Sequence, residues 1–351
     1  MRYIKSYPNV GAVETALDNS TLGRPYVAYV EDGQYILWDE PEKDYNNMCL
    51  TFNVISGGTI YMSKKVNDLE YQVNNGSWTS VSDSAITFNT SAGDRISFRG
   101  LNTAYTSNYS DNVSPTVSSS TECRFEAEGN MMSIIDKDNY MTLDGVNRGV
   151  FCHFFRRCSG LTSVENLVLP ATTLRGGCYF GLFRECINLE KSVKELPALS
   201  VPEYGYKSLY EACPKLVTVP IIRATAWTGT VCAQGMFNVC GSLSATPVLN
   251  LVSVTGHQAF SLTFGSCTSL TQVNITFPET IPNSNLFFNG MFQGCTSLAN
   301  ITCLTSNPYE SAFAGWVKNV SPTGTFVKNP NATWPTGTSG IPEGWTITNA
   351  E

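Results

Sequence analysis

Hydrophobic and polar positions change their rhythm along this chain. In the first third they alternate over short distances: Leu69, Tyr71 and Val73, then Ile96 and Phe98, fall on every second position. That is the period of a strand with one buried face. Asn74, Asn75 and Gly76 lie between Tyr71 and Trp78 and predict a hairpin turn with positive φ angles. Several such runs predict a small β-sandwich over residues 46–128, with the Ser/Thr/Asn-rich stretch from Thr103 to Thr121 as an exposed loop or hairpin. Before it, residues 26–30 and 35–38 flank Asp32 and Gly33 and read as another hairpin, and residues 10–18, with Glu14, read as a short helix.

From residue 129 the rhythm lengthens. An aromatic, a cysteine three residues on and a leucine three further occur together six times. The sets are Phe155, Cys158, Leu161; Phe183, Cys186, Leu189; Tyr210, Cys213, Leu216; Phe237, Cys240, Leu243; Phe264, Cys267, Leu270; and Phe292, Cys295, Leu298. Successive aromatics are 28, 27, 27, 27 and 28 residues apart. The spacing of three predicts that aromatic and cysteine share one face of a short helix or helical turn. The leucine opens a short extended run, and Pro170, Pro197, Pro220, Pro247 and Pro278 mark breaks after it. One unit cannot bury its apolar face alone, so neighbours are expected to stack and align these positions in ladders.

The fold class expected is therefore multidomain α+β, a small β-sandwich followed by a six-unit leucine-rich-type solenoid of about 27-residue repeats. Its divisions are residues 1–45, a docking or anchor segment; 46–128, the β-sandwich-like domain; 129–306, the solenoid; and 307–351, a C-terminal cap in which Phe313, Trp316 and Phe326 cover the last coil. The ladder cysteines read as buried thiols, because free cysteine behaves as a small apolar residue with a weak donor.

The units resemble the BspA-like leucine-rich repeats of surface proteins from gut bacteria and their phages. Residues 161–174 and 290–298 carry the resemblance, and residues 320–346 are similar to the end segment that follows such repeats. Tyr210 and Pro214 depart from the pattern and predict distorted middle coils. The resemblance implies a surface-displayed, non-enzymatic adhesion protein. The first 45 residues also resemble leader segments on structural proteins of phages that infect gut Bacteroidetes.

Charge and composition narrow the function. Charged residues make up 15% of the chain, its net charge is −7 and it has no basic run. No nucleic-acid partner is expected. No apolar stretch approaches the 18 or so residues that span a bilayer, and residues 1–10 carry no apolar signal core. Twelve cysteines without a single C-x-x-C pair, and two histidines, His153 and His257, argue against a zinc site. No cofactor is expected. His153 lies among Phe151, Cys152, Phe154 and Phe155 and reads as a packed residue, and His257 reads as a loop position. Asp136, Asp138 and Asp144 form the tightest acidic cluster, read as a solvated loop rather than a glycosidase pair.

These readings join in one expectation: a virion surface protein, a head fibre or capsid decoration, that adheres to host-surface or mucus glycans or to a protein receptor. Its other partners would be virion proteins, docked through Tyr26, Tyr29, Tyr35 and Trp38, since Tyr and Trp favour interface centres. A homotrimer is the first expectation for its assembly and a dimer the second. The alternatives are a bacterial cell-surface adhesin with a trimmed signal and a glycan depolymerase.

Overall fold

The computed structural model describes residues 2–7, 26–31, 34–39, 44–63, 68–82, 84–101, 116–282 and 286–351, the first three stretches as backbone. The chain divides into two compact units, Met1–Asp44 and Tyr45–Glu351. In the first, β1 (Arg2–Tyr7), β2 (Tyr26–Glu31) and β3 (Gln34–Asp39) form an antiparallel sheet in the order β1-β3-β2. The β2–β3 register sets Tyr26 opposite Asp39, Val27 opposite Trp38, Tyr29 opposite Ile36 and Val30 opposite Tyr35. The side chains of Tyr26, Tyr29, Tyr35 and Trp38, the turn residues Asp32 and Gly33, and the helix expected over residues 10–18 lie outside the described residues.

The second unit begins with β4 (Leu50–Ser56), β5 (Gly58–Ser63), β6 (Glu70–Val73), β7 (Thr79–Ser80), β8 (Ala85–Thr90), β9 (Arg95–Arg99), β10 (Val117–Ser119) and β11 (Arg124–Asn130). Asn74 and Asn75, at φ 50° and 58°, turn β6 into β7. One sheet runs β10-β5-β8, and Phe88 from it packs edge-on against Tyr71 and Phe98 of the other. That other sheet runs β12-β11-β4-β9-β6-β7, where β12 (Leu161–Ser163) and β13 (Leu167–Val168) belong to the first repeat. Strand β11 pairs antiparallel with β4 on one edge and parallel with β12 and β13 on the other. The division expected at 128/129 thus falls inside β11, and Phe52 meets Phe155 at 5.8 Å in one continuous core. The β strands and the repeats are a single unit, which corrects the multidomain expectation at this point.

The α+β expectation is also overturned. Among the described residues the only helical elements are three short 3-10 turns, Tyr45–Asn47, Met131–Ile134 and Tyr140–Thr142. None lies where the repeats were expected to be helical. Nor do the repeat strands merge into one closed solenoid sheet. They form small parallel sheets, such as Glu195–Leu196 with Ile221–Ile222, and Ser200–Val201, Ala226–Trp227 and Ser253–Val254 together. Pro197 and Pro220, which lack an N–H, stand directly beside Glu195–Leu196 and Ile221–Ile222 and keep these strands short.

Each expected helical turn is instead a string of tight backbone turns. Gly149, His153 and Arg157 have positive φ, as do Gly177, Gly181 and Glu185 in the next repeat and Tyr204, Ser208 and Ala212 in the one after. A left-handed residue at every fourth position cannot belong to an α-helix. Backbone donors alternate accordingly. Cys152, Phe154, Arg156 and Cys158 donate to carbonyls three residues back, while Phe151, His153, Phe155 and Arg157 donate to Cys178, Phe180, Leu182 and Arg184 of the following repeat.

The eighteen side chains of the aromatic–cysteine–leucine pattern are all buried. Rings from Phe155 to Phe292 stack at 5.1–5.8 Å with planes within 15° of one another. Tyr210 lies flat between Phe183 and Phe237, and its hydroxyl accepts from the Val193 N–H, so the expected distortion at that coil is not found. The thiols of Cys186, Cys213, Cys240, Cys267 and Cys295 each donate, at 2.9–3.1 Å, to the carbonyl of the preceding repeat's aromatic. Cys158, the first of the column, faces Ser119 Oγ of β10 at 3.9 Å.

Two features go beyond the six-fold pattern. A second row of rings runs Phe151, Tyr179, Tyr206, Trp227, Phe260, Phe288, Phe313 at 4.7–6.3 Å, with Trp227 from a neighbouring strand filling the place where Ala233 has no ring. A seventh turn string follows Phe292: Phe288, Gly290, Phe292 and Gly294 donate to Ala312, Ala314, Trp316 and Lys318. Trp316 continues the first row of rings at 6.0 Å from Phe292, and the parallel strands Asn300–Cys303, Thr325–Lys328 and Thr346–Asn349 close the end.

A candidate binding groove on the turn strings

The four-residue step of each string puts two residues inward and two outward. In the second repeat Tyr179, Leu182 and Phe183 are buried, while Phe180 and Arg184 reach toward solvent. Stacking at 27 residues turns the outward positions into columns. One holds Phe180, Lys207 and Gln234; the next holds Arg184, Glu211 and Asn238. With Ser208, Gly235 and Leu262 between them, they line an open groove of about 390 Å³, within the size range of small-ligand sites.

Its lining combines one aromatic ring, Phe180, with the charged side chains of Arg184, Lys207 and Glu211, and His153 and Tyr204 flank that ring outside the lining. His153 and Phe180 rings lie 4.6 Å apart, and Phe180 and Tyr204 rings 6.1 Å apart. The Lys207 ammonium sits 5.5 Å from the Phe180 ring centre and 5.0 Å from that of Tyr204. Burial pushes the Lys207 pKa down, with Glu211 acting against it. Among the described residues Lys207 makes no ion pair and its ammonium no hydrogen bond, whereas the neighbouring cations are engaged. Arg184 Nε lies 3.0 Å from Glu211 and 3.4 Å from Glu185; Arg157 and Arg156 reach Glu185 at 2.6 and 3.2 Å. The Arg157 hydrogen bond, with Arg156 beside it, holds the Glu185 carboxyl below the usual carboxylate range.

A second hollow, about 400 Å³, lies beside the strands between Tyr45, Asn166, Lys194 and Pro197. Its carboxylates are already paired, Glu165 with Lys191 at 2.9 Å and Glu195 with Arg223 at 2.6 Å.

The histidines and the acidic cluster are placed apart from the lining of the turn-string groove. His153 is half-buried in the first string, its pKa lowered by burial and by Arg156, and His257 is exposed in the fifth. Burial pushes the Cys152 thiol beside His153 up to about 12, far from a thiolate nucleophile. Asp136 accepts from the N–H groups of Asp138 and Asn139 and from the Asn139 amide, a local turn that holds its pKa low; Asp138 and Asp144 are exposed. Among the described residues no three His, Cys, Asp or Glu side chains converge as metal ligands, and no helix is long and apolar enough to cross a membrane.

Sequence reasoning followed the inward ladders and missed the groove, although the 27-residue period marks it equally well: Phe180, Lys207 and Gln234 recur at that interval. Compared with known proteins, the chain matches no family model, no curated protein and no solved structure.

Proposed function

We propose that this protein is a non-enzymatic adhesion protein of a phage virion surface, a head fibre or capsid decoration. It would engage host-surface or mucus glycans, or a protein receptor, through its stacked repeats. The N-terminal unit would dock on other virion proteins, in a homotrimer as the first candidate assembly. The observation that carries the reading is the groove on the turn strings. It sets the Phe180 ring and a half-buried cation into a surface whose inward neighbours are fixed by the ring and thiol ladders. A rigid, repeat-presented surface of this kind suits weak contacts multiplied over many copies. The repeat resemblance and the separate sheet of Met1–Asp44 support the same reading.

Mass spectrometry of purified phage particles, paired with adhesion of the recombinant chain to mucin-coated plates and host cells, tests it. The chain should be found in intact particles, and removal of residues 1–44 should abolish incorporation while adhesion persists. Absence from particles overturns the virion assignment, and a chain that adheres to neither surface overturns adhesion.

A further inference from the structure

We propose that the groove on the second to fourth turn strings is a subsite for an acidic sugar, its carboxylate or sulfate held by Lys207 and Arg184 and its ring face laid on Phe180. The inference rests on the adhesion reading for its biological sense and names the ligand class of that same site.

Three observations carry it. First, Lys207 is a half-buried cation whose only side-chain partners among the described residues are two ring faces, at 5.0 and 5.5 Å. A half-buried ammonium with no anion in ion-pair contact, Glu211 acting on it only from farther off, is an incomplete arrangement, and a ligand oxyanion completes it. Second, Arg184 lies within ion-pair distance of Glu211 and Glu185, with Nε at 3.0 and 3.4 Å, yet its guanidinium donates no hydrogen bond to any described residue. It lines the same groove as Lys207. The first three strings carry Arg148, Arg156, Arg157, Arg175, Arg184 and Lys207 against Glu185, Glu203 and Glu211, a local cationic excess on a chain of net charge −7. Third, the rest of the lining suits a hydroxyl-rich ring. Gln234 and Asn238 present amides, Ser208 a hydroxyl, and Phe180 an apolar face. A nucleic acid would need a longer basic stripe, and a purely apolar ligand would leave Lys207 unmatched.

The test titrates the full chain by calorimetry with three probes: tri-galacturonate for the carboxylate, N-acetylglucosamine 6-sulfate for the sulfate, and maltotriose as neutral control. At least one acidic probe should bind about tenfold more tightly than maltotriose and weaken as salt is raised. Binding by one acidic arm alone identifies the anion. Lys207→Met keeps the apolar stem and should cost about tenfold in affinity, while Lys207→Arg should retain binding within about threefold. An unchanged melting temperature confirms that both variants fold. The proposal is overturned if neither acidic probe saturates by about 10 mM, or if Lys207→Met binds as wild type. Mucin adhesion, measured in parallel, separates the two claims. Adhesion that acidic probes do not compete and Lys207→Met does not weaken removes the groove and leaves the adhesion reading. Acidic-probe binding without adhesion keeps the groove and removes that reading.

Discussion

Val239 is held at φ +62° with its side chain 44% exposed, a β-branched residue in a conformation that strongly disfavours it. Its column also holds Gly294 and Asn319, residues that adopt this geometry readily. Val239→Asn is therefore expected to raise stability by about 1 kcal/mol, read as a shift in urea midpoint at constant slope; an unchanged or lower midpoint counts against the strain. Gly256 shows the opposite constraint, since a Cβ there would run into the Gly229 carbonyl. The cysteines follow a similar local logic. Cys240 donates to the Tyr210 carbonyl at 3.1 Å, so it supplies a buried acceptor with a partner while filling little space. Cys240→Ser is expected to cost about 1–3 kcal/mol, because a more polar hydroxyl replaces the thiol in an apolar column. Burial pushes the Cys267 thiol up to about 12 and Cys240 well above its ordinary value. The native ladder should accordingly resist thiol reagents at neutral pH and react once urea unfolds the chain. Labelling of all six ladder positions in the native protein at the rate of free cysteine would refute this.

At the scale of one turn string, the repeat period was legible in the sequence but the backbone was not. A chain stepping four residues at a time buries Val150, Phe151, Phe154, Phe155 and Cys158, the same i, i+3, i+4 spacing that an α-helix produces. Side-chain pattern alone could not separate the two. Glycines at 149, 177, 181, 235, 290 and 294 were the available sign, though His153, Arg157 and Leu262 occupy the same backbone and hide it. The seventh string was missed because the spacing shortens after Phe292 and Val320, which follows the left-handed Asn319, stands where the cysteine would be. The division at residue 128 was unreadable because β11 serves two neighbours with one sequence. The groove was legible only to a reader who followed the outward columns. The second ring row makes a test at this scale. The Tyr179 and Tyr206 hydroxyls are buried without a hydrogen-bond partner among the described residues, while the Tyr210 hydroxyl accepts from the Val193 N–H. Tyr179→Phe or Tyr206→Phe should be neutral or stabilising, and Tyr210→Phe should cost about 1–2 kcal/mol. Thermal melts of the three variants decide it, and equal losses in all three would sink the distinction.

Across the whole stack, the final turn string and the three end strands act as one closure. Truncation before Pro308 strips Phe313 and Trp316 from Phe288 and Phe292 and leaves the N–H groups of Phe288, Gly290, Phe292 and Gly294 without acceptors. Each lost buried bond costs on the order of 1–3 kcal/mol, so the truncated chain should aggregate; a soluble, monodisperse product would refute the closure. The bonds between strings have a further consequence, because they all run the same way. In every string, alternate N–H groups point toward the following repeat and the carbonyls behind them toward the preceding one. Half the peptide dipoles of this wall therefore add, as they do along an α-helix. The negative pole lies at the first string, where the Val117 N–H meets the Phe154 carbonyl; at the positive pole the Thr338 carbonyl and Ser339 hydroxyl receive the Val317 and Gly315 N–H groups. Arg148, Arg156 and Arg157 lie in the first string and Arg175 and Arg184 in the second, whereas the fourth and sixth carry no charged residue at all. The cations that rim the groove thus stand toward the end where the field of the backbone favours positive charge, and that same field opposes an anion, so Lys207 and Arg184 must outweigh it for an anion to be held.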